Sequence, residues 1–368
     1  MNTSHFTFKQ KSNDFIVEEK LPFALSGDGD FLYVFFEKRN RTTQDILDHL
    51  TQHCKVSRQM LWIAGLKDKK AITRQRITIS KKNMKNCGGV KGFIKTLGTI
   101  TRIIESTRHP EPISMSTPIA NVFHIRLRAK EALWQTTKTA ILTSLNAFLS
   151  TGCANLFGSQ RFGIEGRNRR QGLEILQGKL RMNEKKELVF KLQAYASKLF
   201  NEYLVSRQDP KTGKIALLDG DIILLQTPVE WSTYGIYNSQ SKHVTLIEPI
   251  KNEAFFQQPK LRSTTIPFES KTMIPTGPLL WYNMLSAPTT TAAGKKEQTL
   301  LEKHHLTQKL LAPYKQHMVY GLRRPMRVTP FAITTGFQNS DLLITFALPS
   351  GSYASVVTDE MIKKLQRV

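Results

Sequence analysis

The sequence predicts an α+β protein in which a second unit interrupts the first. Three observations carry this. Strand-like and helix-like segments are mixed without the strict strand–helix alternation of a doubly wound sheet. At Cys153 the texture changes to a glycine- and arginine-rich loop. Strand character then returns near the C-terminus in LLITFALP and SYASVV, around a turn at Pro349 to Gly351, with the texture of the opening segments.

The elements follow in order. Phe15 to Glu37 reads as two strands, DFIVEEKLPF and FLYVFFEK, joined through a Gly-Asp-Gly turn that supplies backbone freedom. RTTQDILDHLTQH gives a short amphipathic helix, with Thr42 as its cap, Asp45 three residues on, and Ile46, Leu47 and Leu50 on one face. LWIAG, LKDKKAITRQ and RITIS read as strand, loop and strand. NVFHIRLR alternates, with Phe123, Ile125 and Leu127 facing one way and His124, Arg126 and Arg128 the other. Glu131 to Leu149 has helical spacing at Leu133, Ile141, Leu145, Phe148 and Leu149, with Gly152 as a stop. Beyond Cys153 the pattern gives a helix from about Val189 to Val205, paired strands KIALL and DIILLQ around Asp219-Gly220, and a helix beginning near Lys296 after the loop SAPTTTAAGKKEQ.

The 368 residues carry 53 Lys plus Arg against 29 Asp plus Glu, a net charge of +24, which makes a polyanion the expected partner. A hydrophobic content of 40% suffices for a packed core and excludes a disordered chain. Cys54, Cys87 and Cys153 are too dispersed for a metal knuckle and too few for a disulfide framework, so a reducing compartment is expected. The N-terminal segment has no long apolar core, and no run approaches the roughly 18 apolar residues of a membrane span. The expectation is a soluble, cytoplasmic protein without a membrane partner.

Three stretches pair basic residues with small or aromatic ones. In AGLKDKKAITRQ, Asp68 lies between Lys67 and Lys69; the flanking cations favour its ionised form, as a nucleophile or base requires, although a solvated charged turn has the same pattern. In NLFGSQRFG running into GRNRRQG, Gly158, Gly163 and Gly166 allow close backbone approach, and Arg161, Arg167, Arg169 and Arg170 offer phosphate-binding forks beside Phe157 and Phe162. Read alone, the two phenylalanines fit core anchors better, and the arginine cluster fits phosphate contacts. In YGLRRPMR, Arg323, Arg324 and Arg327 admit both a phosphate and a solvated-face reading. Phosphate-loop, dinucleotide, HExxH and zinc-spaced Cys/His motifs are all missing, and the His304-His305 pair reads as part of an exposed helix. Any chemistry therefore falls to side chains alone.

AGLKDKKAITRQ, NLFGSQRFGIEGRN and LRRPMR, in this order, resemble the TruD family of tRNA pseudouridine synthases. FKQKSNDFIVEE looks like that family's opening Lys and Phe-x-Val-x-Glu pattern, taking Lys9, Phe15 and Glu19, while NVFHIRLR looks like its Asn-x-Phe strand and LPSGSYASVV like its closing strand and turn. The resemblance implies a catalytic domain with a mixed, mostly antiparallel sheet over about Met1 to Gly152 and Gly321 to Val368, interrupted by an α/β TRUD domain from Cys153 to Tyr320. It also implies isomerisation of uridine to pseudouridine in tRNA, at position 13 of the D arm, without metal or cofactor.

By the same resemblance Asp68 is the catalytic aspartate, acting by attack on the sugar C1′, by addition to base C6 or by removal of a sugar proton. Phe123 would stack on the flipped uracil, although its alternation with Ile125 and Leu127 also fits a core strand residue; Asn121 would hold the aspartate loop or the base. Lys9 would pair with Asp68 or a phosphate, and Glu19 would anchor Lys9 or Lys67. Asn155, Phe157, Gln160, Arg161, Phe162 and Arg324 would contact the RNA in a basic cleft. One segment departs from the family pattern: PEPISMSTPIA, between His109 and Asn121, has neither a basic residue nor a glycine where the family has a basic, glycine-rich run. The alternative from another class is a non-catalytic RNA-binding or ribosome-associated protein using the same cleft. An RNA methyltransferase is disfavoured, because no glycine-rich cofactor loop follows a strand.

Overall fold

Strands from Phe6 to Ala129 and from the C-terminal stretch Phe331 to Pro349 assemble into one large sheet. The computed structural model describes residues 5–67, 69, 71–114, 117–225, 233–247, 261–269, 273–279, 284–315 and 323–366. Two compact units emerge: Met1–Gly152, Thr329–Ala354 and Thr358–Val368 form the first, and Cys153–Val328 with Ser355–Val357 the second.

The first unit begins with β1 (Phe6–Phe8), β2 (Phe15–Lys20), β3 (Phe31–Arg39), α1 (Thr43–Cys54), β4 (Trp62–Ile63), β5 (Ile72–Ser80), α2 (Gly89–Gly98), β6 (Arg102–His109), β7 (Ala120–Ala129) and α3 (Gln135–Thr151). The second holds β8 (Cys153–Ala154), α4 (Ser159–Phe162), α5 (Arg167–Leu176), α6 (Lys185–Ser206), β9 (Ile222–Leu225), β10 (Thr233–Asn238), β11 (His243–Ile247), β12 (Leu261–Pro267), β13 (Met273–Pro278), α7 (Ala292–Lys303), α8 (Gln308–Leu311), β14 (Arg323–Pro325) and β15 (Arg327–Val328). The chain ends with β16 (Phe331–Gln338), β17 (Asp341–Pro349) and α9 (Ala354–Leu365).

The first unit's sheet has the order β16-β17-β7-β2-β5-β3-β6, with β1 on β7 and β4 on β5. Its β2–β5 pair is parallel and its other pairs are antiparallel. This is the mixed, mostly antiparallel α+β sheet that the sequence predicts. Its register lines up Phe346, Phe123, Val17, Thr73 and Lys38 across five strands, so these residues share one face. On that face Val34, Phe36, Ile77 and Ile79 pack with Ile46, Leu47 and Leu50 of α1 and with Phe93 and Leu97 of α2. Each large aliphatic residue buried there is worth about 1.5–3 kcal/mol. Thr42 caps α1, accepting the Asp45 N–H while the Asp45 carboxylate accepts the Thr42 N–H, so the predicted capping box forms.

Several sequence expectations change. Cys54 and Cys87, expected as separate thiols, are joined as a disulfide, because both close on the α1–α2 apolar cluster. SYASVV, read as a strand from its valines, opens α9: Val357, Met361 and Leu365 are buried at a spacing of one helical turn, which outweighs local β propensity. KIALL forms no strand beyond an isolated bridge from Gln208 to Ile215. The second unit extends to Val328, past the expected return at Gly321, because β14 pairs with β13 and β15 with β8.

In the second unit a six-stranded antiparallel sheet, β12-β11-β10-β9-β13-β14, accompanies a helical core. Leu192, Tyr195, Leu199 and Tyr203 recur at helical spacing along α6 and pack with Ile175, Met284, Leu300 and Met326. Arg207 makes a bidentate pair with Asp221 at 2.9 and 2.7 Å in the interior. Arg323 lies 2.7 Å from buried Glu297 and donates to Thr276 and the Leu285 carbonyl. His304, expected on an exposed helix, is instead packed 3.2 Å from the Tyr195 hydroxyl and 3.1 Å from the Glu202 carboxylate.

Partial burial raises the Glu202 carboxyl pKa, but hydrogen bonds from Lys198, Lys303 and His304 outweigh it and bring the group from 4.5 down to about 2. A depressed carboxyl stabilises the fold above its unfolded value, and that stabilisation is lost as pH falls toward 2. Glu202→Gln is therefore expected to lower the urea midpoint at neutral pH, and the gap from wild type should close between pH 4.5 and 2. A gap that does not change with pH would show that the carboxylate charge contributes nothing.

Candidate active site

Register brings Glu19 and Asn121 together first. They sit directly opposite each other on β2 and β7, on the same face as Phe123 two residues further along β7. Ile72, which opens β5 beside Ile16, is preceded by the loop that carries Lys67. β4 pairs Ile63 with Ile77, so the chain leading to Lys67 sets out beside the end of β2 that carries Glu19, whose carboxylate accepts the neighbouring Arg76 N–H. Lys67 is pinned there. Its ammonium donates to Asn121 Oδ1 at 2.6 Å and lies 3.3 Å from Glu19 Oε1.

The Lys67 backbone is held as well. Its N–H donates to the Thr43 hydroxyl at 2.9 Å, and that hydroxyl donates in turn to Gln75 Oε1 at 3.0 Å. Its carbonyl accepts the Lys38 ammonium at 3.3 Å. Glu19 is 2% exposed and accepts the Arg76 N–H at 3.0 Å through Oε2, so both carboxylate oxygens face donors. Asp68 and Lys70 lie outside the described residues; Lys69 is exposed.

Phe123 is 5% exposed, with ring centroids 6.1 Å from Phe15 and 5.6 Å from Phe346. Lys9, at φ +57°, places its ammonium 4.0 Å from the Phe15 ring centroid. Glu19, Lys67, Asn121 and Phe123 thus gather on β2, β7 and the pinned loop, while Lys9, just after β1, meets the Phe15 ring at the start of β2. Sequence reasoning missed Lys38, Thr43 and Gln75. A signal for Lys38 did exist: it falls in the same alternating phase as Val34 and Phe36, where a charge is out of place.

The remaining expected residues lie in the second unit. Arg324 is 8% exposed and donates to the Asn155 carbonyl at 3.0 Å and to Asn155 Oδ1 at 2.6 Å, while Asn155 Nδ2 donates to the Pro325 carbonyl. The Arg324 guanidinium stacks 4.2 Å from the Phe157 ring, and Asn201 brackets the Phe157 backbone by accepting its N–H and donating to its carbonyl. These three residues form an internal strut joining the start of the unit to β14. Arg161 donates to Ser197 and Gln193 of α6. Phe162 lies under the Arg169 guanidinium, 5.6 Å away, and Gln160 is exposed. Gly163 and Gly166 take φ of +72° and +73°, which a Cβ resists, and the turn they make sets Arg167, Arg169 and Arg170 on the surface. Ile164, Arg167, Asn168, Arg170 and Lys191 line a groove of about 510 Å³ there.

Glu19→Ala leaves the part-buried Lys67 ammonium with the neutral Asn121 amide oxygen but without its counter-charge, and the Arg76 N–H without its acceptor. It is expected to cost about 3–5 kcal/mol in chemical denaturation. Glu19→Gln keeps an acceptor and should cost less. A cost near zero for Glu19→Gln would mean that the ion pair contributes nothing beyond its hydrogen bonds, and equal costs would mean that the retained acceptor recovers nothing.

Comparison with known proteins fits this arrangement. A sequence profile described as tRNA pseudouridine synthase D (TruD) matches residues 3–189 and 180–361. A tRNA pseudouridine synthase D of Haemophilus influenzae strain PittEE is 27% identical over 354 residues, 96% of this chain and 93% of that protein. One from Wolinella succinogenes is 34% identical over 206 residues, 55% of this chain and 54% of that protein. The crystal structure of the putative tRNA pseudouridine synthase D of Methanosarcina mazei shares the fold, with a TM-score of 0.62 at 19% identity over 99% of this chain and 95% of that one. With its profile matched along almost its whole length, this chain belongs to the tRNA pseudouridine synthase D (TruD) family.

Proposed function

We propose that this chain is a tRNA pseudouridine synthase that isomerises uridine 13 of the D arm, with Asp68 as the catalytic carboxylate. The observation that carries the reading is the fixation of Lys67, through N–H, C=O and ammonium, immediately before Asp68 in a chain of this family. A reacting group gains most when its backbone is held before substrate arrives.

The reaction breaks the N1–C1′ bond, turns the uracil and forms a C5–C1′ bond; the C5 hydrogen leaves as a proton and N1 gains one, so no atom is added. The uridine must first leave the stack. With its amide oxygen accepting from Lys67, Asn121 turns its NH2 group to the base or to Asp68. Phe123 supplies the ring against which the uracil lies, and its small exposed fraction restricts the contact to part of one face. Lys9 meets a phosphate or the Asp68 carboxylate. Exposed Arg167, Arg169 and Arg170, with Gln160, hold the RNA, while Arg161, Arg324, Asn155, Phe157 and Phe162 shape the surface that presents them.

Unmodified tRNA transcripts labelled with tritium at uridine C5 test the chemistry. Wild-type protein is expected to release tritium. Asp68→Asn should release it at least about 100-fold more slowly, at the low end of what a positioned acid–base group contributes, with tRNA affinity nearly unchanged. Undiminished release from the variant would remove Asp68 from the chemistry. The phosphate contacts are tested by salt: Arg170→Ala should flatten the log–log salt dependence of tRNA binding by about 0.7–0.9. An unchanged slope would return that arginine to a solvated face.

A further inference from the structure

Lys38 is fully buried, at 0% exposure, although an ammonium is among the costliest groups to remove from water. Its Nζ donates to two main-chain carbonyls, Arg41 at 2.8 Å and Lys67 at 3.3 Å. The first lies in the turn that leads into the α1 capping box; the second belongs to the peptide unit joining Lys67 to Asp68. A trans peptide unit is planar, and its two Cα atoms lie about 3.8 Å apart. The Lys67 Cα is already fixed, by the N–H bond to Thr43 and by the side-chain bonds to Asn121 and Glu19. Holding the carbonyl oxygen sets the remaining rotation of the peptide plane, and with it the direction in which the next residue leaves.

We infer that Lys38 is a positioning residue for the reaction, setting the peptide plane from which Asp68 projects by holding the Lys67 carbonyl. The inference builds on the proposed role of Asp68 but concerns a different residue, one that touches neither base nor sugar. Its location explains why a buried charge is kept where the neighbouring in-phase positions of β3 are Val34 and Phe36. A methionine has nearly the same length and would fill the space without the cost of desolvation.

Lys38→Met and Lys38→Arg are compared in the full-length protein by three readouts. In Lys38→Met the amides of residues 66–69 should exchange on the order of tenfold faster, because the loop opens locally. Its single-turnover rate at saturating tRNA should fall about 100-fold, the effect of a displacement near 1 Å. Its tRNA Kd should stay within about threefold, and its rate is compared per folded molecule, since the Arg41 and Lys67 carbonyls lose their donor. Lys38→Arg, which keeps a cationic donor, should recover part of the rate. Unaltered exchange in Lys38→Met overturns the inference whether or not the protein makes pseudouridine. Faster exchange with an undiminished rate overturns it too, as does a rate loss that only tracks a lost folded fraction. If the wild type forms no pseudouridine in the same tRNA, the functional reading fails, and the exchange measurement still decides whether Lys38 fixes the loop.

Discussion

The fixation of Lys67 is the constraint on which the first unit's site depends. Its backbone and side chain use four groups from four places: Thr43 at the start of α1, Lys38 at the end of β3, Glu19 on β2, and Asn121 on β7, with Gln75 of β5 behind Thr43. No one of these bonds is worth more than a few kcal/mol. Their joint geometry still leaves the loop one place to be. That place requires the register of the sheet, since a slip of one residue in β2 or β7 would turn Glu19 or Asn121 to the opposite face and take that acceptor from the ammonium. The apolar row Phe346, Phe123 and Val17 enforces the register, because the same slip would expose it.

The net charge of +24 separates into two populations once the side chains are located. Arg207, Arg323 and Arg324 are interior residues whose guanidinium groups meet Asp221, Glu297 and the Asn155 amide, and their bonds tie strands to helices within the second unit. Breaking such a pair costs more than the pair contributes, which makes these arginines intolerant of change without making them ligands for RNA. Arg167, Arg169 and Arg170 lie on the surface after a turn that needs two glycines at positive φ. A basic composition points to a polyanion as partner, yet it does not identify which cations meet it; burial does.

Where the local period and the tertiary environment agree, the fold was legible in the sequence. The alternation of NVFHIRLR became β7, and Thr42 with Asp45 became the α1 capping box. Glu19 as the anchor of Lys67 was also legible, through motif resemblance. The failures share a cause. SYASVV has strand propensity but helical burial further on, the Cys54–Cys87 contact depends on where α1 and α2 close on the sheet, and the Arg324–Asn155 strut links residues far apart in sequence. Each is decided by contacts that no window of sequence contains. Lys38 belongs to both classes: its phase in β3 marks it as buried, and only the tertiary contacts that fix Lys67 supply the carbonyl that it holds.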